Sequence, residues 1–201
     1  MRKPVRAWTL AFAFCALAVA GGSAQANAYR EKGKAAQIAD SPLSVTPPRD
    51  WNRLSAKPGK HAETWTLDGE QLNEVTFYSA VAPGEPLVRE RNRKREPLPK
   101  FTAATLLVEV PELLEGTYRA YRKIGAFTLT SSTSDRFLGQ NGIRFTYEYT
   151  DADQLPRKGE ARAALIGWKL YMATFDAPRL HFFDRSVGDY RLLVDAVTIA
   201  P

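Results

Sequence analysis

The clearest strand signal in this chain is IRFTYEYT, residues 143–150. From Ile143 onward every second side chain is apolar or aromatic and those between are polar, which is the pattern of a strand with one buried face. The pair Asn141-Gly142 directly before it is a preferred sequence for a two-residue hairpin turn. We therefore predict a hairpin that turns at 141–142 and continues as a strand through Thr150.

Apolar segments after this strand predict the centre of a sheet. Residues 161–166 and 170–175 are apolar on both faces and are separated by Gly167-Trp168-Lys169. Strands that are apolar on both faces are usually covered on both sides. We expect these two segments to form a central hairpin.

Further strand signals precede residues 143–150 in the sequence. Leu43 and Val45 alternate with polar neighbours up to Pro47-Pro48, which cannot continue a sheet ladder. Residues 65–67 and 75–81 alternate around an Asp68-Gly69 turn, which predicts a second hairpin. A further strand is expected around Phe127 and Leu129, after the first helix.

Two segments carry helical spacing. From Pro111, a stripe at Leu114, Tyr118 and Tyr121 predicts a helix that ends before Gly125. Near the end of the chain, residues 186–189 resemble a capping box, and the apolar positions after them predict a helix that packs on the sheet. Those positions are Tyr190, Leu193, Val194 and Val197.

The order of elements is three strands, a helix, four strands and a helix, without the strand–helix alternation of a parallel sheet. The predicted fold class is α+β, with a mainly antiparallel six- or seven-stranded sheet covered by helices. Residues 41–201 are expected to form this single domain. The polar residues 27–40 before it are expected to be a flexible segment or a short helix.

The first residues predict export. Arg2, Lys3 and Arg6 precede an apolar run from Ala7 to Ala20, the order found in a secretory signal peptide. Ala24-Gln25-Ala26 fits the cleavage pattern, so we expect residues 1–26 to be removed and the product to be exported, with a periplasmic location. The run of 14 residues is short of the roughly 20 that a spanning helix needs.

The single cysteine, Cys15, lies inside that predicted signal peptide. Lipid attachment at Cys15 is the alternative to simple cleavage, but Phe14 before it is larger than the residue that lipoprotein processing accepts. After cleavage the chain has no thiol, which excludes thiol catalysis and cysteine-ligated metal centres. It also leaves 25 basic against 22 acidic residues, so the net charge falls from +6 to near +3.

Loose motifs give a family resemblance. Residues 43–47 (LSVTP) are followed by Trp51-Asn52, and Leu170-Tyr171 leads to Phe175-Asp176-Ala177-Pro178. With the element order over residues 41–198, these resemble the PsbP-like fold family, which includes an extrinsic subunit of the photosynthetic oxygen-evolving complex and small exported bacterial proteins. The resemblance implies a binding or assembly factor, and it carries over no catalytic residue, cofactor or ligand.

The motif search favours no enzyme class. The sequence contains no phosphate-binding P-loop, dinucleotide fingerprint, nucleophile elbow or HExxH zinc motif, and no cofactor is predicted. His61 and His181 would need to meet Glu63 or Asp176 to bind zinc, and polar surface roles are the simpler interpretation. Asp151 and Asp153 offer a calcium site as an alternative, with a solvated turn before Pro156 as the simpler interpretation. Paired-carboxylate chemistry is a further alternative for the acidic residues around this hairpin, which are Glu148, Asp151, Asp153 and Glu160.

One segment of the chain has an unusually high density of basic side chains. Residues 88–95 (VRERNRKR) contain five basic side chains. If the segment is extended, one of its faces carries four guanidinium groups, which bind phosphate or carboxylate through paired hydrogen bonds. These candidate anion-binding residues are Arg89, Arg91, Arg93 and Arg95. The alternative is a charged edge that keeps the protein from aggregating.

The aromatic side chains are expected to be mainly core, because strand aromatics at period two usually are. Trp168, at the predicted hairpin tip, is the candidate for an exposed contact.

We predict from these features an exported, non-catalytic binding or accessory protein of the bacterial cell envelope. The expected partner is an envelope lipid, an anionic glycan or another protein. Nucleic acid is disfavoured by export, and no transmembrane span is expected after cleavage. An electrostatic binder acting through residues 89–95 and an unrecognised hydrolase are the alternatives.

Overall fold

The computed structural model describes residues 28–199. The predicted signal peptide, residues 1–26, and Cys15 within it lie outside the described residues. No helix within 28–199 is long and apolar enough to cross a membrane.

The described chain forms strands β1 to β11, helices α1 and α2, and one 3₁₀ turn. The strands are β1 (Ala28–Arg30), β2 (Ala36–Gln37), β3 (Leu43–Val45), β4 (Trp51–Arg53), β5 (Ala62–Thr66), β6 (Glu74–Val81), β7 (Phe127–Phe137), β8 (Gln140–Thr150), β9 (Pro156–Ile166), β10 (Lys169–Pro178) and β11 (Val197–Ile199). The helices are α1 (Val110–Arg122) and α2 (Phe182–Asp195), and the 3₁₀ turn is Leu107–Glu109.

The large sheet has eight strands in the order β1-β4-β5-β6-β10-β9-β8-β7, and a second sheet has the order β11-β3-β2. Every pair in both sheets is antiparallel. The α+β prediction and the antiparallel sheet are therefore confirmed, but the expected six or seven strands are corrected to eight. Two short strands, β1 and β4, add to one edge and carry too little alternation to be recognised from sequence, whereas the predicted strand at Leu43 and Val45 is β3 of the second sheet.

The segment expected to be flexible or helical before residue 41 contributes two strands instead. β1 pairs with β4, and β2 pairs with β3. Ile38 is buried in the core together with residues of β3 and β10. The folded unit consequently begins before residue 41, because this short polar segment gains its order from contacts distant in sequence.

Two predicted hairpins are confirmed and one turn was misplaced. β5 pairs with β6, and β9 pairs with β10 through the Gly167-Trp168 turn. The turn between β7 and β8 lies at Leu138-Gly139, so the predicted turn at Asn141-Gly142 was wrong. Gly142 lies within β8, where a side-chain Cβ would come within 2.4 Å of the Ala163 carbonyl oxygen. This glycine permits close strand approach rather than a turn.

Both predicted helices exist with shifted ends. α1 ends at Arg122, and the next residue, Lys123, has a left-handed backbone two positions before the predicted stop at Gly125. α2 begins at Phe182, so the predicted capping box at 186–189 was wrong and Ser186 is buried inside the helix. The Tyr190 hydroxyl donates to the Ala173 carbonyl at 2.9 Å, which anchors α2 on the sheet as expected.

The eight-stranded sheet is covered on both faces. One face packs against α2 and the small sheet, around Trp65, Phe77 and Phe175. The other packs against α1 and the segment before it, around Tyr78, Phe145 and Tyr147. Most aromatic side chains of the described chain are buried as predicted, whereas Tyr121, Phe127 and Phe182 are half-buried and Tyr29 is exposed.

A close approach between β8 and β9 shapes the α1 side. Gly159 pairs with Tyr147, and a Cβ on Gly159 would lie 2.3 Å from the Tyr147 Cζ atom. The Tyr147 ring thus lies directly over the backbone of Gly159, in space that any side chain at residue 159 would occupy.

We predict that Gly159→Ala destabilises the protein by about 1–3 kcal/mol, because the aromatic ring must move out of a packed core. Urea unfolding monitored by circular dichroism measures this change. The matched control is Gly188→Ala in the exposed part of α2, where no atom lies within 4 Å of the added Cβ. That control is expected to be neutral or stabilising by about 0.5–1 kcal/mol. Equal effects of the two substitutions would contradict the packing argument.

Candidate functional site

Two carboxyl groups lie side by side beneath α1. The register pairs Asp176 of β10 with Glu74 of β6, which places both side chains on the same face of the sheet. Both residues are buried. Two neighbouring buried acids are costly unless other groups compensate them.

The last turns of α1 provide that compensation. Arg122 forms an ion pair with Glu74, and its guanidinium lies 4.4 Å from the centre of the Tyr118 ring. Tyr118, one turn earlier, donates its hydroxyl to Asp176 Oδ2 at 2.6 Å. The spacing of four residues brings both side chains to the same helix face.

A second hydroxyl reaches Asp176 from the other side. Tyr147 of β8 crosses above Gly159 and donates to Asp176 Oδ1 at 3.0 Å. Asp176 therefore accepts hydrogen bonds from a helix and from a strand two positions away in the sheet. We call Glu74, Asp176, Tyr118, Tyr147 and Arg122 the buried polar cluster.

The environment changes the acidity of this cluster. Burial raises the pKa of Asp176, and the Glu74 carboxyl beside it adds to that rise. Arg122, the Tyr118 hydroxyl and Arg157 act in the opposite direction, but the net pKa stays above the ordinary value. Burial also raises the pKa of Tyr118 and Tyr147 well above the usual range, so both remain protonated donors.

An open cleft of about 400 Å³ adjoins this cluster, and we call it the end cleft. Thr64, Glu74, Tyr149 and Arg157 come from the sheet, and Tyr121 and Arg122 come from the end of α1. Loops complete it with residues 54, 56–58, 70–71, 91, 124 and 151–153. Its charged residues balance, with four basic (Lys57, Arg91, Arg122, Arg157) and four acidic (Glu70, Glu74, Asp151, Asp153).

Two donors at the end cleft lack partners. The Tyr149 hydroxyl and Arg157 Nε are buried and find no hydrogen-bond partner within the described residues 28–199. Arg157 is otherwise held in place, since it donates to the Gln71 carbonyl at 3.2 Å and lies 3.6 Å from Asp151. These donors are two of nine buried side-chain polar atoms without a partner in the described chain, and such atoms are satisfied by water or by a ligand.

The four candidate arginines do not form a single row. Residues 93–95 form a turn rather than a strand, so the extended arrangement is not observed. All four side chains are exposed, but they have different neighbours. Arg91 stacks on Tyr121 at 5.0 Å and lines the end cleft, whereas Arg93 lies 3.7 Å from Glu90 outside it. The Arg89 amide donates to Pro58 and the Arg95 amide to Asn92.

Trp168 lies in the two-residue turn between β9 and β10 and is 77% exposed. It is far along the strands from the end cleft, which adjoins the opposite ends of β9 and β10. The structure thus places Trp168 and Arg91 at opposite ends of the sheet.

The histidine and carboxylate candidates are not brought together. His61 lies 3.5 Å from Glu85, whereas His181 precedes α2 and its ring packs edge-on against Phe182. Glu63 binds Arg30 and the Trp65 indole. Within the described residues, no group of three or more His, Cys, Asp and Glu side chains is arranged to hold a metal ion.

The paired-carboxylate candidates also separate. Glu160 is bound by Arg191 of α2, and Glu148 pairs with Arg179. Asp151 and Asp153 line the end cleft, whereas Glu148 and Glu160 belong to the opposite face of the sheet.

Comparison with known proteins defines the fold. No family model and no curated protein matches the sequence. The chain has a PsbP-like fold: it is similar to the solution structure of cyanobacterial PsbP (CyanoP) from Synechocystis sp. PCC 6803, with a TM-score of 0.53 and 9% identity over 89% of this chain and 95% of that one.

Two further solved structures are similar at lower scores. LpqN of Mycobacterium tuberculosis, described as involved in cell envelope biogenesis, has a TM-score of 0.35 and 8% identity over 90% of this chain and 88% of its own. The Saccharomyces cerevisiae Ran-binding protein Mog1p has a TM-score of 0.46 and 9% identity over 87% and 96%. The fold assignment rests on the cyanobacterial protein.

The raised pKa of Asp176 makes a pH-dependent prediction. A carboxyl group whose pKa is higher in the folded than in the unfolded chain contributes its full stabilisation below the unfolded-state pKa. That contribution is lost as the pH rises through the folded-state pKa. We expect the wild type to lose stability relative to Asp176→Asn between about pH 4 and about pH 8, by about 1.4 kcal/mol for each unit of raised pKa. Urea unfolding at both pH values measures this difference. Asp153→Asn, at an exposed position, is the control, and a parallel pH dependence of wild type and Asp176→Asn would contradict the prediction.

Proposed function

We propose that this protein is an exported, non-catalytic binding or accessory protein of the bacterial cell envelope, and that it holds an oxygen-rich ligand in the end cleft. The observation that carries this proposal is the pair of unsatisfied donors, the Tyr149 hydroxyl and Arg157 Nε. Both belong to side chains that line the cleft. Both atoms are buried in the described structure, so a ligand with acceptor oxygens would satisfy them after a small shift of the surrounding side chains.

The charge balance of the cleft narrows the ligand class. Arg122 is neutralised by Glu74 and Arg157 lies near Asp151, so a highly charged ligand gains little from the floor of the cleft. A sugar acid or a phosphate-bearing glycan combines several acceptor oxygens with modest charge. Such groups also agree with the anionic glycans expected in an envelope.

The state of the carboxyl groups supports binding over catalysis. Asp176 accepts two tyrosine hydroxyls, and Glu74 is paired with Arg122. A general acid or base needs a proton that it exchanges with a reacting group within hydrogen-bond reach. These two carboxyl groups are instead occupied in joining α1 to the sheet.

Export rests on the signal peptide predicted at residues 1–26. Mass spectrometry of the protein recovered from cells tests it directly. A chain that begins at Asn27 agrees with cleavage and a periplasmic location, whereas a lipid adduct on Cys15 would contradict simple cleavage.

Electrostatic binding through the basic segment is the second candidate, and one observation favours it. Arg91 lines the end cleft, and Arg89, Arg93 and Arg95 of the same segment are also exposed. Anionic envelope polymers would then contact the segment itself, and their binding would weaken with salt.

One set of variants distinguishes the two candidates. We expect Tyr149→Phe to weaken binding of D-glucuronate or inorganic phosphate about two- to tenfold, because one hydrogen bond is lost. Its folding stability should be unchanged or higher, because the lost hydroxyl is buried and has no partner within the described chain. Isothermal titration calorimetry measures the affinity and urea unfolding measures the stability.

The basic segment offers a matched pair of variants. Arg91→Ala should weaken binding because Arg91 lines the cleft, whereas Arg93→Ala should not. Equal losses from both arginines, with no effect of Tyr149→Phe, would favour the electrostatic candidate. Unchanged affinity in all three variants would contradict the cleft as the binding site.

A further inference from the structure

Trp168 has a backbone conformation that tryptophan does not favour. The β9–β10 turn requires positive φ at both of its residues, and Gly167 and Trp168 have φ values of +56° and +62°. Glycine, asparagine and aspartate suit such turns, while a bulky residue is strained there. Leu138 has a similar φ of +55° in the neighbouring turn, but its side chain packs against the core.

The Trp168 side chain gains no comparable packing, because it is 77% exposed. The other two tryptophans of the described chain, Trp51 and Trp65, are buried. An unfavourable backbone with an exposed indole is difficult to explain by folding alone. Such positions are commonly functional.

Three turns lie at this end of the large sheet. Ala164 of β9 pairs with Gly142 of β8, and each strand then continues for two residues to its turn. On the other side, Leu170 of β10 pairs with Val81, the last residue of β6. The turns therefore lie at about the same level, and together they form a surface that we call the turn end: Pro83-Gly84, Leu138-Gly139 and Gly167-Trp168.

The turn end differs in charge from the opposite end of the sheet. Its six residues are all uncharged, whereas Asp68, Asp151 and Asp153 belong to turns at the other end. Two cations lie at its margin, Lys169 and Arg136, and the Arg136 guanidinium donates to the Gly139 carbonyl at 2.9 Å. The nearby Glu85 carboxylate is occupied, since it accepts from the Ala82 amide and lies 3.5 Å from His61.

We propose that the turn end is a membrane-contact surface, with the Trp168 indole inserted at the interface between headgroups and acyl chains of an anionic bilayer. Tryptophan prefers this interface because its ring is apolar and its N–H still finds a polar partner. Flanking cations contact anionic headgroups. The surface lies away from the end cleft, so the inference does not depend on the ligand proposed there.

The experiment uses residues 27–201, which contain both hydrophobic cores. The probe is vesicles of phosphatidylethanolamine and phosphatidylglycerol. We expect Trp168 emission to shift to shorter wavelength and to be quenched by brominated acyl chains, while the buried Trp51 and Trp65 do not respond.

Trp168→Gly should lower the vesicle partition coefficient about tenfold or more, because an inserted indole buries on the order of 150 Å². Its melting temperature should be unchanged or higher, since glycine favours the positive φ. The matched control is Leu180→Ala, which removes an equally exposed apolar side chain from the opposite end of the sheet.

Vesicle binding that survives Trp168→Gly, or that falls equally in Leu180→Ala, would overturn the proposal. Absence of any emission change with vesicles would also overturn it, as would Trp168-dependent self-association without vesicle binding. In the last case the turn end would be a protein contact instead.

Discussion

Two buried carboxyl groups on neighbouring strands impose the constraint on which the α1 side of this protein depends. Asp176 and Glu74 are paired across β10 and β6 and are removed from water. Since an uncompensated buried acid costs several kcal/mol, the chain must bring donors to this place. α1 brings Tyr118 and Arg122, and β8 brings Tyr147. The position of α1 on the sheet is thus fixed by polar contacts as well as by its apolar stripe.

The same contacts create the end cleft. Because Arg122 must reach Glu74, α1 ends above the start of β6, and the chain turns away there at the left-handed Lys123. The end of the helix, the sheet and the loops at residues 54–58 and 151–153 therefore enclose a space that contains Tyr149 and Arg157. The contacts that attach α1 to the sheet therefore also form the end cleft. The turn end lies at the far side of the sheet and does not involve these contacts.

The alternation at 143–150, the central hairpin and the helical stripe at Leu114 and Tyr118 predicted the main elements, because burial on one face leaves a periodic pattern. The sequence pattern did not predict features that depend on contacts between residues distant in sequence. Gly142 and Gly159 are needed for close approach inside strands, and only the register reveals this. The buried polar cluster was missed for the same reason: Arg122 resembled an ordinary basic last turn, and Glu74 and Asp176 are 102 positions apart in sequence.

A double-mutant cycle between Glu74 and Arg122 tests most directly whether buried polar contacts attach α1 to the sheet. Free energies of unfolding are measured for Glu74→Gln, Arg122→Met and the combined variant. We predict that each single variant is destabilised and that the combined variant is more stable than the sum of the two losses by about 2 kcal/mol, because each single change leaves one buried charge alone. Additive losses, with a coupling below about 0.5 kcal/mol, would contradict the account.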